Sequence, residues 1–572
     1  MHLRHAKIEP IVAGAGRRSA AAFPILAFSV LAWLIAATTS CDNAKSPTIP
    51  TPTITPTLEV QDVQNLLAHA VEQAERLGVK ASVAVLDREG NGLGVFEMTG
   101  PGAPGLAVSV TNPIVGAIAK ARTAAYLSSN RHGFSTLTAC FITRNHFPPN
   151  IGNTAAGPLF GVPRSSLGGS DIQPNNGAVA IVAGIGIIPL PGTGTEIGLT
   201  GVPGGVPIFK NGLLAGGLGV STGVPNQAAL DNILCCCGGV IPDEVIALGA
   251  VLGGYQVPDN LRGDGILLDG IRLLFANADP PQANFTLAFA DLNSRGIMHV
   301  QPRPTPPARF LPTGEVNLGV IAGRNYDFRI KGSPRASGLT EAEVRRIIQQ
   351  AADQAAKTRA AIRRPPGVPM QVFITVVDVD GQVLGIFRTP DATFFSYDVS
   401  AQKARTALAF SKPRGSLQVD ASDTLGVMVR RLLGLAPDAG FAISARGVGF
   451  LAQDFYPPGI SREEQSLGRD IGPGPFFNMP PGNGDEFIFQ RNLRLRPYGN
   501  GITIFPGGVP LYKNGQLVGG IGISGDGVDQ DDIVTFAGAL GFEPPPEIRC
   551  DQFKFRDVRL PYVKFPRQPE LR

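Results

Sequence analysis

GGVPIFKNGLLAGGLGVS at Gly204–Ser221 and GGVPLYKNGQLVGGIGIS at Gly507–Ser524 are one pattern written twice. Each places Asn-Gly, at Asn211-Gly212 and Asn514-Gly515, between two apolar runs, which is the strongest short-range signal for a β-hairpin. The G-G-x-G-[VI]-S run has a superficial likeness to a phosphate loop. It lacks the Lys-Ser/Thr ending and opens no clear helix, so it reads as a close-packed strand whose glycines let another backbone approach. A second pattern recurs upstream of each hairpin: K-A-R-T-A at Lys120–Ala124 and at Lys403–Ala407. Two long motifs repeated in the same order predict two copies of one domain.

The elements around these motifs repeat as well. Leu66, Leu67, Ala70, Val71 and Ala74 recur at helical spacing, as do Ile347, Ile348, Ala351, Ala352 and Ala355. Thr340 and Glu343 form a capping box before the second of these helices. SVAVLD at Ser82–Asp87 meets GLGVFEM at Gly92–Met98 across a glycine-bearing turn, and FITVVD at Phe373–Asp378 meets QVLGIFR at Gln382–Arg388. Asp87 and Asp378 sit beside those turns, where a carboxylate bonds turn amides. Pro242-Asp243-Glu244 and Asp531-Asp532 open a last helix in each copy, with acidic residues suited to the helix dipole. The order helix, hairpin, helix, hairpin, helix predicts an α+β fold: an antiparallel sheet with packed helices. FITRNHFPPNI at 141–151 matches FLAQDFYPPGI at 450–460, so the insertion between the K-A-R-T-A helix and the glycine hairpin is shared too.

At 572 residues and 43% hydrophobic content, two large domains with extensions are expected, and 71 Gly with 50 Pro predict many turns and irregular insertions. The net charge of +4, with no basic stripe, zinc-finger spacing or aromatic RNA-binding motif, argues against a nucleic-acid partner. Arg4, Lys7, Arg17 and Arg18 precede an apolar run from Ala20 to Ala37, the pattern of an export signal. Thr38-Thr39-Ser40-Cys41 resembles a lipoprotein cleavage site except at Thr38, where Leu is usual, leaving lipidation at Cys41 and simple secretion both open. SPTIPTPTITPT at 46–57 is an extended tether. The expected organisation is a signal over 1–41, a tether over 42–57, a first domain over 58–330 and a second over 331–572. An exported chain, periplasmic or at the cell surface, can form disulfides. Cys235-Cys236-Cys237 reads as buried thiols or one disulfide rather than a metal site.

Taken together, the opening Ala-rich helix, V-A-V-L-D-R-E-G-N or V-V-D-V-D-G-Q, A-x-K-A-R-T-A and the glycine hairpin resemble the GlcG/HbpS-like haem-binding family. The resemblance implies two profilin-like domains, haem as cofactor, and assembly into homo-oligomers. Roles suggested for such relatives include haem sensing, storage or degradation. The large insertions here depart from that family.

Haem needs an apolar slot, an axial ligand and cations for its propionates. Lys120, Arg122, Lys403 and Arg405 are the candidate cations. They read either as a solvated or ion-paired face or as partners of an anionic ligand group. His69, His132 and His146 are the candidate iron ligands, each also readable as an ordinary helix or loop residue. Copy two contains no histidine, and Gln350 stands in the place of His69. No Ser-His-Asp order, H-E-x-x-H or nucleotide fingerprint supports an enzyme, and the acidic run at 526–532 lacks the spacing of a calcium loop. The expectation is therefore an exported binder of haem or a similar flat, anionic ligand, its membrane contact limited to a lipid anchor. A cofactor-free assembly module is the alternative, and a haem-degrading enzyme the third reading.

Overall fold

The computed structural model describes residues 56–571 except 101–112, 174–197, 224–238, 414–423, 458–472 and 477–498, with shorter breaks within 145–169, at 322, at 454–455 and at 566–568. The export signal, Cys41, most of the tether and Cys235–Cys237 lie outside the described residues.

The first half opens with α1 (Val60–Arg76), then β1 (Ser82–Asp87), β2 (Gly92–Met98), α2 (Pro113–Tyr126) and the short α3 (Thr136–Ile142). The glycine hairpin forms β3 (Gly205–Lys210) and β4 (Leu213–Ser221), and α4 (Pro242–Ala250) follows. An edge strand, β5 (Gly296–Val300), completes an antiparallel sheet of order β3-β4-β1-β2-β5. The second half runs β6 (Gly314–Ile321), β7 (Arg324–Phe328), α5 (Glu341–Lys357), β8 (Val372–Asp378), β9 (Val383–Arg388) and α6 (Phe395–Ser411). It continues with α7 (Leu425–Leu432), α8 (Ala445–Leu451), β10 (Gly508–Lys513), β11 (Gln516–Gly525) and α9 (Val528–Gly538). Its sheet order is β10-β11-β8-β9-β6-β7.

The two sheets agree in detail. Asp87 lies opposite Gly216 and Asp378 opposite Gly519. The β1–β2 register shifts at Val85/Leu86, and the β8–β9 register shifts at the matching Val376/Val377. The turns adopt the backbone their residues favour: Asn211 and Gly212 have φ of 53° and 75°, Asn514 and Gly515 of 52° and 74°. One boundary differs from the sequence expectation. β6 and β7, which fall within 58–330, are hydrogen-bonded to the second sheet through β9.

The period-2 alternation of β1 explains the layering. Val83 and Val85 join Leu66, Leu67, Ala70 and Ile246 in the core under α1 and α4, whereas Ala84 and Leu86 meet Ile114, Ala117, Ile118 and Ala121 of α2. Each sheet is thus covered on both faces, with the K-A-R-T-A helix the main cover of one side and a later short helix in each half, α3 or α8, beside it. Glycines set that spacing: a Cβ on Gly219 would lie 2.0 Å from the Ala117 carbonyl oxygen. The halves also share a core, in which Tyr126, Phe134 and Phe141 of the first join Phe394, Tyr397 and Phe410 of the second.

Candidate functional site

The four cations of the K-A-R-T-A helices are interior. Lys120 is 3% exposed, and its Nζ donates to the Val220 carbonyl at 2.9 Å and to Asp243 Oδ2 at 2.5 Å. Lys403, 1% exposed, donates to the Ile523 carbonyl at 2.8 Å and to Asp531 Oδ2 at 2.7 Å. In both halves the lysine clasps the end of the glycine strand to the first turn of the last helix. Arg405 donates to the Gly381 carbonyl at 3.1 Å and makes a two-pronged pair with Asp171, at 2.8 and 2.7 Å, across the two halves. Arg122 is 1% exposed. These side chains are therefore corrected from ligand-facing cations to members of the packed interior, because the helix that carries them is covered by sheet on one side and by the other half on the next.

The three histidines part company. His132 is fully buried; its Nδ1 meets Ser129 Oγ at 2.8 Å and its Nε2 the Leu127 carbonyl at 3.0 Å. Burial pushes its pKa down to about 3, so the ring is neutral, and both nitrogens are engaged. An iron ligand needs one nitrogen lone pair, and His132 has none to offer without breaking this network, which removes it as a candidate. His146 sits in the insertion, with Nδ1 2.9 Å from the Thr154 carbonyl. The following residue, Phe147, lines a cleft of about 680 Å³ that also holds Phe160, Phe450, Phe505 and the cations Arg446 and Lys564.

His69 lies half-buried on α1. Its Nδ1 is 3.2 Å from the carbonyl of Ala250, at the end of α4. A carbonyl only accepts, so in the neutral ring Nδ1 carries the hydrogen and Nε2 keeps its lone pair. Nε2 has no hydrogen-bond partner among the described residues. Burial lowers the His69 pKa below its ordinary value, which keeps the ring neutral at pH 7. Phe285 stacks on the ring at 3.6 Å and 8°, fixing its plane. A histidine held by a carbonyl at Nδ1, with Nε2 left as a donor, has the arrangement that iron ligation requires. In the second half, Gln350 makes the equivalent tie to the carbonyls of Ala537 and Leu540, at 3.0 and 3.1 Å, but offers no imidazole.

Among the described residues no group of three or more His, Cys, Asp and Glu is placed to hold a bare metal ion. Asp87 does what its place beside the turn suggested: it accepts from the backbone of Glu89 and Asn91, at 2.9 and 2.8 Å, and from the Asn91 side chain at 2.8 Å. Burial nonetheless raises its pKa to about 7, and burial likewise raises that of Glu244 to about 7. Because the folded state holds these protons more tightly than the unfolded chain, both groups favour folding at low pH. That contribution fades as pH rises from about 4 through about 7. The melting temperature is expected to be higher at pH 5 than at pH 8, and Asp87→Asn is expected to flatten the slope. A profile that rises over the same interval would contradict it.

Residues 339–539, in the second half, match the family model described as "Haem degrading protein HbpS-like". Three solved structures are similar to this chain. The PduOC:heme complex is 19% identical, covering 36% of this chain and 96% of its own, with a TM-score of 0.20. Klebsiella pneumoniae protein ORFY, of the DUF336 family, is 19% identical over 36% and 92%, with a TM-score of 0.20. A Streptomyces reticuli HbpS double mutant is 18% identical over 37% and 91%, with a TM-score of 0.19. No curated protein matches the chain. Residues 339–539 are thus similar to the HbpS-like family, and the fold is α+β with antiparallel sheets covered by helices.

Proposed function

We propose that this chain is an exported haem-binding protein in which His69 is the axial ligand. The observation that carries the reading is the His69 ring itself: Nδ1 tied to a helix-end carbonyl, Nε2 unpartnered among the described residues, and the plane fixed by Phe285. The HbpS-like match over the second half supports haem as the ligand class. The two halves then differ in duty. The first presents the ligand, and the second, which has no histidine, completes the shared core. His69 is half-buried and does not line the cleft beside Phe147, so a haem held there has one face open to a second copy of the chain or another protein. That suits storage, sensing or transfer better than catalysis.

Export is supported by the N-terminal pattern and by the disulfide-bonded state of Cys140, since such bonds persist in oxidising compartments. Among the described residues no helix is long and apolar enough to cross a membrane, and attachment through a lipid at Cys41 belongs to the same proposal.

Hemin added to the purified chain is expected to give a shifted Soret band saturating at one haem per chain. The lowered His69 pKa predicts that this binding is not lost by ring protonation until the pH is below the ordinary histidine pKa. Saturation at two haems, or a steep loss of binding just below pH 7, would contradict the assignment. Loss of the bound haem's absorbance after addition of a reductant would favour the degrading enzyme over the binder.

A further inference from the structure

A pocket of about 420 Å³ lies between the halves, lined by neither His69 nor its partners Ala250 and Phe285, and its size is that of a small-molecule site. Its walls are mixed: Phe310, Phe394 and a proline-rich segment supply apolar surface, while Asp87, Arg88, Glu89, Arg388 and Asp391 supply ionisable groups. The three carboxyl groups are already committed, Asp87 to the amides of its own turn. Asp391 takes an ion pair from Arg88, a 2.6 Å ion pair from Arg363 and the backbone N–H of Asn130 at 3.1 Å. Glu89 accepts the backbone N–H groups of Arg309 and Phe310, at 3.0 and 3.2 Å.

Arg388 is left over. It is 5% exposed, yet no carboxylate lies within ion-pair distance of it among the described residues. Two of its five N–H groups make long bonds, to the carbonyls of Leu311 at 3.2 Å and Ala392 at 3.3 Å. Its Nε finds no acceptor. The guanidinium packs over Phe394 at 4.7 Å and Phe373 at 5.6 Å. Cation–π contact offsets part of the desolvation but does not neutralise the charge. Burial, followed by the nearby Arg88, pulls the Arg388 pKa down to about 9, the direction expected of a cation lacking its counter-ion.

We propose that this pocket is a second binding site, taking a small monocarboxylate whose apolar body rests against Phe310 and Phe394 and whose carboxylate meets the terminal nitrogens of Arg388. The apolar walls favour an aryl or branched alkyl acid. A phosphate dianion is disfavoured, because Glu89 and Asp391 stand beside the one uncompensated cation and would repel a second negative charge. This site does not depend on the haem reading, since it shares no residue with the His69 region.

Calorimetric titration of the full chain with phenylacetate, phenylacetamide and inorganic phosphate tests it. Phenylacetate is expected to bind, and phenylacetamide and phosphate at least about tenfold more weakly. Arg388→Gln is expected to weaken phenylacetate by at least about tenfold. Ala308→Trp, on the exposed rim, is expected to block entry while leaving the fold and the hemin Soret titration intact. No heat with phenylacetate at millimolar concentration, equal binding of phenylacetamide or phosphate, or undiminished binding in Ala308→Trp would each overturn the proposal.

Discussion

Asp391→Asn is expected to destabilise the folded chain by about 3–5 kcal/mol, read as a lowered midpoint in urea. Asp391 is fully buried at the junction of the halves, where Arg88 and Asn130 reach it from the first and Arg363 from the second. Its φ of 62° is a left-handed conformation that asparagine tolerates as readily as aspartate, so the substitution removes charge without straining the turn. What remains is a pair of guanidiniums, each nearly or fully shut off from water. Arg363 keeps Asp526, but Arg88 keeps no other carboxylate among the described residues. Attraction to these cations holds the Asp391 pKa below its ordinary value despite burial, so its contribution is present at neutral pH and disappears only in strong acid. A change below about 1 kcal/mol would mean that the junction is wet and that the halves are held by apolar packing alone.

The second large effect is expected at Gly522. Its backbone φ is ordinary, so the constraint is space rather than conformation. A Cβ there would lie 2.0 Å from the Ser400 carbonyl oxygen and 2.5 Å from the Ala404 nitrogen, both backbone atoms of α6. Neither can step aside without moving the helix, which also carries the Lys403 clasp. Gly522→Ala is expected to cost about 1–3 kcal/mol, and Gly522→Val more. Gly515→Ala provides the contrast: nothing lies within 4 Å of its added Cβ, and its cost arises from the φ of 74° alone. A lower melting temperature for Gly515→Ala than for Gly522→Ala would show that the helix is not seated on the strand as described.

These glycines show why so much of the fold was legible. Strand alternation, Asn-Gly turns and glycine-rich contact surfaces are local signals, and β1 and β2 span the residues that the pattern predicts. The last helix of the second half begins at Val528, about a turn before Asp531, because Gly527 is its N-cap and the helix opens earlier than the acidic pair suggested. β5, β6 and β7, at the outer side of each sheet, were missed because their half-exposed positions carry no clear alternation.

The site was less legible for a physical reason. A lysine on an alanine-rich helix reads as solvent-facing, and the carboxylate that neutralises Lys120 lies 123 positions away, on a helix start that also suits an acid for its dipole. His132 sits in a loop-like Asn-Arg-His-Gly context, yet it is fully buried, with both ring nitrogens engaged by Ser129 and Leu127. His69 shows the reverse: its place off the apolar face of α1 is plain in the sequence, but the carbonyl that selects its tautomer belongs to a helix end distant in the chain.

The most direct test titrates hemin into the wild-type chain and into His69→Ala, His132→Ala and His146→Ala variants in parallel, reading the Soret band. Loss of the shifted band in His69→Ala alone, with His146→Ala binding as the wild type does, is the predicted result. A full band in His69→Ala, or its loss only in His146→Ala, would move the iron to the aromatic cleft and contradict the assignment.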